Sequence, residues 1–227
     1  MVCGPMVPRS CPSYVTWGYR PPGRGQKSEP PCRPRTWTSG PTCSGGTPAA
    51  DKPGKKLCGD IPPQAGGAPS YVRTWTGFVY LATVLDCCTK KVVGYAMADH
   101  MRTSLVCQAI DMAVRRCPIK EGVTIFHSDR GSQYTSQEFL DHLKGYGIRP
   151  SVGRTGVCWD NAWAESFNAT LKNERVHRMV YPTKDKAIND IASWIELRYN
   201  RTRLHSALGY RTPDEVERDF LDLTKAA

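Results

Sequence analysis

The chain has 227 residues, with 31 Lys plus Arg against 21 Asp plus Glu, so its formal net charge is +10 and its pI about 9.2. This balance favours a polyanionic partner such as nucleic acid, although a basic protein without such a role can have the same composition. The sequence lacks both an apolar run of about 18 residues, the length of a membrane span, and the apolar segment of a secretory signal. We therefore expect a cytoplasmic protein.

The first 56 residues differ in composition from the rest, because they contain 11 of the 18 prolines and 8 of the 20 glycines. Such a segment cannot bury enough apolar surface to offset the entropy of ordering it. We expect an irregular or disordered segment over 1–56, a folded core over 57–220 and a short tail over 221–227. Two interpretations of the first segment stay open: a disordered basic arm that touches DNA, or translation of a GC-rich gene in the wrong frame, which we favour.

Regular patterns begin at Tyr71. Alternating β-branched and aromatic residues predict three strands, separated by turns near Gly77 and after Asp86. A short apolar run predicts a fourth strand, and a fifth, shorter one follows it. The predicted strands are Tyr71–Trp75, Phe78–Leu85, Lys91–Met97, Val123–His127 and Ile148–Val152.

Four helices are predicted between and after these strands. The first is capped by Thr103 and has one apolar face. The second begins at a capping-box pair, Thr135 with Glu138, and ends near Lys144. The third begins at Asp160 or Asn161, both good N-caps, and a last long helix follows Thr183. Three antiparallel strands followed by alternating helices and strands indicate an α/β sandwich.

Two carboxylates stand out within this pattern. Asp129 directly follows the strand Val123–His127, and Glu165 lies 36 positions later on a predicted helix, with Lys172 two turns beyond it on the same face. Hard divalent cations such as Mg²⁺ take oxygen ligands, commonly one or two carboxylates with water and phosphate. Paired ions of this kind support phosphodiester chemistry. Two carboxylates alone are a weak signal, but their spacing, their flanking residues and Lys172 together point to a metal-dependent phosphoryl-transfer site.

The motifs around these residues closely resemble the integrase-like transposases of bacterial insertion sequences, in particular the second-reading-frame product. Three segments carry the resemblance in the same order: His127 to Tyr134 (HSDRGSQY), Asp160 to Phe167 (DNAWAESF) and Tyr199 to Pro213 (YNRTRLHSALGYRTP). The resemblance implies an RNase H-like fold, an Asp-Asp-Glu triad that binds Mg²⁺ or Mn²⁺, and cleavage and strand transfer of DNA. It also implies a homo-oligomer on DNA. Because no convincing helix-turn-helix occurs, we expect an upstream partner protein to recognise the element ends.

The first aspartate of the triad is the exception to the pattern. The family has Gly-Asp-Ile-Thr-Tyr, whereas this chain has Gly59-Asp60-Ile61 followed by a Pro/Gly-rich stretch, 62–70, before Tyr71. Asp60 is thus the matching metal ligand, but about eight extra residues follow it. Proline and paired glycines are poor residues for a central strand. We therefore expect a broken or displaced strand, a mobile Asp60 and impaired catalysis, with an inactive DNA-binding remnant as the alternative. Asp86 is expected to have a structural role.

Further residues are candidates for DNA contact, each with a structural alternative. His127 can contact phosphate or metal or simply pack, and Arg130 and Gln133 lie in a loop that can be solvated. Asn161 can serve only as a helix cap, and the residues of the C-terminal motif can instead hold the last helix in place. The candidates for DNA binding are His127, Arg130, Gln133, Asn161, Lys172, Arg201, Arg203 and His205.

Overall fold

The computed structural model describes residues 50–61, 71–152 and 162–225. They contain six strands and five α-helices. The strands are β1 (Lys56–Asp60), β2 (Tyr71–Thr74), β3 (Gly77–Asp86), β4 (Val92–Ala98), β5 (Ile125–Ser128) and β6 (Arg149–Val152). The helices are α1 (Thr103–Arg116), α2 (Gln137–Gly145), α3 (Ala162–Glu174), α4 (Lys184–Ser193) and α5 (Pro213–Lys225). Residues Trp194–Asn200 continue α4 with the wider turns of a π-helix.

All six strands form one mixed sheet. The long strand β3 pairs antiparallel with β4 on one edge and with β1 and β2 on the other. On its far side β1 pairs parallel with β5, and β5 pairs parallel with β6. Helices α1 and α2 cover one face with Leu105, Ile110 and Phe139, and α3 and α4 cover the other with Phe167 and Ile191. The predicted α/β fold is confirmed.

Asp60 lies in the sheet, so the expectation that its strand is displaced is wrong, whereas the expected break does occur, between Asp60 and Tyr71. Strand β1 hydrogen-bonds on both sides, to β3 and to β5, and Asp60 lies opposite Thr83. Tyr71, the first residue of β2, lies opposite Tyr80. Two residues of β3 separate Thr83 from Tyr80, whereas ten residues of the chain separate Asp60 from Tyr71.

Strands β1 and β2 are therefore two halves of one strand, with eight extra residues between them. Side chains alternate between the faces of a sheet with a period of two, so an odd insertion would move the second half to the wrong face. An even insertion leaves both halves in register. Accordingly Leu57 packs on the α1 face, while Cys58 and Val72 pack on the α3 face. Residues 62–70, within which the eight extra residues fall, lie outside the described residues.

At two positions of the sheet, neighbouring atoms pack so closely on the backbone that only glycine fits. A Cβ atom on Gly59 would lie 2.3 Å from Cζ of Phe126, so the phenyl ring of β5 packs directly over the backbone that precedes Asp60. A Cβ atom on Gly94 would lie 2.2 Å from the carbonyl oxygen of Ala109, which lets α1 approach β4 closely. Both distances are below van der Waals contact, and any larger side chain would force the layers apart.

The helix starts differ from the prediction in two places. Arg102, not Thr103, is the N-cap of α1 and makes no side-chain capping bond. Ser136, not Thr135, caps α2, because its hydroxyl accepts a hydrogen bond from the Phe139 amide while Thr135 turns back to the Gly131 carbonyl. The cap of the α4 helix at Thr183 is confirmed. The predicted start of α3 lies outside the described residues.

Helix α5 was not predicted, and it includes residues 221–225 of the expected tail. Its start is a capping box, in which the Thr212 amide donates to Oε2 of Glu215 at 2.8 Å and the Glu215 amide donates to Oγ1 of Thr212 at 3.2 Å. Pro213 occupies the first helical position, where proline is favoured. The Thr-Pro-x-Glu sequence was the signal available for this helix. None of the helices in the described ranges has the length and apolar character of a membrane span.

Candidate active site

Parallel pairing of β1 with β5 brings two of the predicted ligands together. The register places Cys58 beside His127, and its continuation by two residues places Asp60 beside Asp129. Neighbouring strands are about 4.8 Å apart, so adjacent carboxylates at the ends of two parallel strands lie within reach of one small ion. The fold thus juxtaposes residues that are 69 positions apart in the chain.

The Asp60 carboxylate is buried, with 3% of the residue exposed. Its Oδ2 accepts a hydrogen bond of 2.9 Å from Nδ2 of Asn168 on α3. The pKa of Asp60 is raised to about 7, mainly by burial and in addition by the neighbouring carboxylates of Asp129 and Glu165, while Asn168 and Lys172 oppose the shift. A carboxylate that is buried beside other negative charges is stabilised when it binds a cation or a proton.

Helix α3 presents one polar face to the end of β1. Glu165, Asn168 and Lys172 recur at spacings of three and four, and α3 packs against β1 in the sheet. Burial lowers the pKa of Lys172, while the charge of Asp60 raises it. The prediction that Lys172 shares the face of Glu165 agrees with this helix. Asn168 was missed by sequence reasoning, although its position three residues after Glu165 was a usable signal.

The loop after β5 holds Asp129 by its own backbone. Oδ1 of Asp129 accepts a hydrogen bond of 3.0 Å from the Gly131 amide, and Arg130 between them in the chain is exposed. Gln133 is partly buried, and its amide nitrogen donates to the Met101 carbonyl at 3.1 Å. Gln133 therefore has a structural contact that the sequence did not indicate, and its contact with DNA stays a prediction.

His127 is half-buried on β5 and its Nδ1 lies 3.1 Å from Oγ of Ser151 on the neighbouring strand β6. This contact ties the histidine to the sheet next to the Asp129 loop. Asn161 lies outside the described residues, so neither of its predicted roles is tested.

The residues of the C-terminal motif make structural contacts. Nε of Arg203 donates to Oε1 of Glu174 at 3.0 Å, which links the motif to the end of α3. Arg201 is 3.8 Å from an Asp214 carboxylate oxygen and largely exposed. The His205 ring packs edge-on against a tyrosine ring at 5.0 Å, and burial lowers its pKa. These contacts fit the predicted role of holding the last helix, and DNA contact by the three residues stays a prediction.

Asp86 has the structural role that the sequence indicated. Its buried carboxylate accepts hydrogen bonds from the Gly54 amide at 3.0 Å and from the amide and hydroxyl of Thr89, both at 2.8 Å. These bonds close the turn between β3 and β4 and attach the segment before β1.

Comparison with known proteins gives a family for this arrangement. Two sequence profiles, both described as integrase core domain, match residues 50–158 and 146–213, and so together cover most of the chain. The chain belongs to the integrase core domain family. Its fold is the RNase H-like fold of retroviral integrase catalytic cores, as the structural likeness below shows.

Relatives of this integrase core are bacterial insertion-sequence proteins. The chain is 36% identical over 168 residues to the transposase InsF for insertion sequence IS3A of Escherichia coli K12, covering 74% of this chain and 55% of the relative. It is 42% identical over 144 residues to an uncharacterised 31 kDa protein of insertion element IS600 from Shigella sonnei, covering 63% and 53%. The chain thus spans about half the length of these curated relatives.

Solved structures of viral integrases share the fold at low sequence identity. A chain of the simian T-cell lymphotropic virus intasome, solved with a PP2A regulatory subunit, matches with a TM-score of 0.59 and 14% identity over 79% of this chain and 60% of that one. The HTLV-2 integrase catalytic core domain in complex with magnesium matches with a TM-score of 0.52 and 17% identity, over 73% and 97%.

The carboxylates of this integrase core suit a divalent cation, by their chemistry and their electrostatics. Asp60, Asp129 and Glu165 offer only oxygen donors, and a cation would offset both the burial and the carboxylate repulsion that raise the Asp60 pKa. Within the described ranges, however, no three His, Cys, Asp or Glu side chains already converge closely enough to hold a metal ion. Glu165 is exposed on the first turn of α3, next to residues outside those ranges.

Proposed function

We propose that this chain carries the catalytic core of an insertion-sequence transposase, which cuts DNA at the element ends and joins the 3′ hydroxyl to target DNA with the help of divalent cations. The observation that carries the proposal is the parallel register of β1 and β5, which pairs Cys58 with His127 and which, extended by two residues, would bring Asp60 beside Asp129. The packing of α3 on β1, with Glu165 on the same helix face as the Asp60 partner Asn168, supports the third ligand.

Asp60, Asp129 and Glu165 would hold Mg²⁺ or Mn²⁺. When bound, the cations supply activation of the attacking oxygen and stabilisation of the leaving oxygen. Asn168 holds one oxygen of Asp60, and the Gly131 amide holds one oxygen of Asp129. The protein thereby limits the rotation of both carboxylates, which matters because a misplacement of about 1 Å can cost roughly a hundredfold in rate.

The proposed reaction has two steps, cleavage and strand transfer. In cleavage, a water oxygen forms a bond to phosphorus and the bond to the 3′ oxygen breaks, which leaves a 5′ phosphate and a 3′ hydroxyl. In strand transfer, that hydroxyl attacks a target phosphorus and displaces the target's own 3′ oxygen. Lys172, on the Glu165 face, and the exposed Arg130 would bind the flanking phosphates.

The partners follow from the same proposal. The net charge of +10 suits a DNA partner, and the relatives are named as transposases of insertion sequences. We propose that the active form is a homo-oligomer assembled on the element ends. End recognition would come from an upstream partner protein with a helix-turn-helix.

Supercoiled plasmid and an oligonucleotide with a free 3′ hydroxyl provide the test. Purified wild-type chain with Mn²⁺ or Mg²⁺ should nick the plasmid and join the oligonucleotide to it, and EDTA should abolish both products. Glu165→Gln should lower the rate by at least about a hundredfold, as expected for loss of a metal ligand. Glu138→Gln, a matched change of an exposed glutamate on α2, should leave the rate unchanged. Equal activity of the two variants would refute the proposed site.

The alternative is an inactive remnant that only binds DNA, and the eight extra residues after Asp60 favour it. The same experiment separates the two. DNA binding by wild-type chain without any metal-dependent product would support the remnant. Activity that depends on Glu165 and Asp60 would support the transposase.

A further inference from the structure

An arginine-rich groove of about 420 Å³ lies between the end of α3 and the π-helical segment Trp194–Asn200. It begins about one helical turn beyond Lys172, since Arg175 follows that lysine by three residues and its amide still bonds the Leu171 carbonyl. Its charged lining residues are Glu174, Arg175, Arg178, Asp190 and Arg198.

Both acids of the groove are already neutralised. The Asp190 carboxylate accepts two bonds from the Arg175 guanidinium, one of them 2.7 Å from Nε, and a third from the Tyr181 hydroxyl. Glu174 pairs with Arg203 at 3.0 Å. Each carboxylate is therefore offset by an arginine within or beside the groove.

Arg178 and Arg198 remain as the excess positive charge. Both side chains are exposed, and their hydrogen bonds within the described part of the chain go to neutral oxygens: the Asn173 carbonyl for Arg178 at 2.8 Å and the Thr202 hydroxyl for Arg198 at 3.5 Å. Arginine guanidinium groups match the geometry of phosphate oxygens and bind them in pairs of hydrogen bonds. Two such groups in one open groove suit a sugar-phosphate backbone.

The backbone around Arg198 is a second, independent sign of a functional surface. Seven residues, Trp194–Asn200, form π-helical turns. Such turns are rare, well under 1% of residues, and occur often at functional sites because the wider turn re-aims the side chains that follow. Trp194 and Ile195 anchor this segment in the core, which leaves Arg198 on its outer side.

We propose that this groove binds the phosphodiester backbone of duplex DNA that extends away from the active site, with Arg178 and Arg198 as the phosphate contacts. The proposal rests on the proposed function, because it assumes that DNA lies across the Glu165 and Lys172 face. It adds a second contact region, which Lys172 and Arg175 connect to the site along the end of α3. The chemistry of the groove selects phosphate oxygens rather than base edges, so the binding is independent of sequence.

The salt dependence of DNA affinity tests this groove. Fluorescence anisotropy with a labelled 30-base-pair duplex in metal-free buffer gives Kd at several salt concentrations. Loss of two phosphate contacts in Arg178→Gln/Arg198→Gln should lower the slope of log Kd against log salt by about 1.8 and weaken binding about tenfold or more at low salt. The matched control is Arg73→Gln/Arg218→Gln, which removes two exposed arginines elsewhere and should leave the slope unchanged. Equal unfolding temperatures would verify that all variants fold.

Each outcome has a separate meaning. An unchanged slope in the groove variant, or an equal fall in both double variants, would overturn the proposal. A variant with lysine at both groove positions should recover the slope but not the full affinity, because ammonium groups lack the planar fork. If polyglutamate, rather than DNA, binds in a way that depends on Arg178 and Arg198, the groove takes an acidic protein and the proposal fails. If the wild-type chain performs strand transfer and the groove variant binds DNA normally, the groove proposal is refuted and the proposed function stands. If DNA binds through the groove but the wild-type chain performs no strand transfer, the groove proposal stands and the proposed function is refuted.

Discussion

Two buried aspartates on adjacent strands of this sheet have opposite environments. Asp86, at the end of β3, accepts three hydrogen bonds from Gly54 and Thr89. Asp60, at the end of β1, accepts one side-chain hydrogen bond in the described part of the chain, from Asn168, and has the carboxylates of Asp129 and Glu165 as neighbours. Burial raises the pKa of both. At Asp86 the hydrogen bonds offset the free-energy cost of burying a charged carboxylate, whereas at Asp60 the neighbouring negative charges add to that cost.

This difference in hydrogen bonding and neighbouring charge distinguishes a carboxylate with a structural role from one suited to bind a metal ion. A buried charge that is fully hydrogen-bonded stabilises its own loop and has little left to offer an ion. A buried charge surrounded by like charges is unfavourable in the empty protein and becomes favourable when a cation or a proton arrives. We infer that Asp60 destabilises the metal-free protein at neutral pH.

Removal of the Asp60 charge has the largest expected effect. The folded pKa of about 7 lies above the ordinary value of 3.8, so the stabilising contribution of the protonated carboxyl is complete below pH 3.8 and is lost as the pH rises through 7. Asp60→Asn, which keeps an acceptor for Asn168, should therefore stabilise the metal-free chain by up to about 4 kcal/mol at pH 8 and by almost nothing at pH 4. Urea unfolding at the two pH values measures this, with Asp185→Asn as an exposed control. A destabilised Asp60→Asn at pH 8 would contradict the account.

Removal of the Asp86 carboxylate should lower the free energy of unfolding, whereas removal of the Asp60 charge should raise it. Asp86→Ala leaves the Gly54 and Thr89 amides buried without an acceptor, and each such donor costs about 1–3 kcal/mol. We expect a loss of about 3 kcal/mol in the free energy of unfolding, measured by urea denaturation at neutral pH. A loss below about 0.5 kcal/mol would mean that the three hydrogen bonds do not hold the turn.

Deletion of the eight extra residues should have a smaller effect. Removing Pro62 to Pro69 joins Asp60-Ile61 to Ser70-Tyr71 without a shift in register, and shortening the connection from ten residues to two should stabilise by about 1 kcal/mol. Removing one residue fewer, Pro62 to Ala68, would place β2 on the wrong face and should destabilise strongly. Thermal unfolding of both variants decides this point. Equal unfolding temperatures would refute the description of β1 and β2 as one interrupted strand.

Local sequence signals were sufficient for most of the fold, and the register of the sheet was the part they could not supply. Alternation and apolar faces located β2 to β6 and four of the five α-helices. The proline and glycine residues of 62–70 correctly marked a break, but the pairing of β1 with both neighbours depends on contacts that are 23 to 29 positions away for β3 and 69 positions away for β5. Sheet pairing of that kind overrides local propensity.

The candidate site was predictable to a similar extent. Motif spacing identified Asp129, Glu165 and Lys172, since each lies in a short, recognisable segment. The hydrogen bond from Asn168 to Asp60 joins residues 108 positions apart and appears only when α3 is packed on β1. The groove residues Arg178 and Arg198 gave no sequence signal, because isolated arginines are usually solvated.

Cation binding tests the central claim most directly. Mn²⁺ should raise the unfolding temperature of the wild-type chain at pH 7.5, because an ion at about a hundred times its Kd stabilises the folded state by about 2.7 kcal/mol. Asp60→Asn and Glu165→Gln should each abolish that rise, whereas Asp185→Asn should retain it. A Mn²⁺-induced rise that survives both ligand variants, or no rise in the wild-type chain, would contradict a shared cation site formed by Asp60, Asp129 and Glu165.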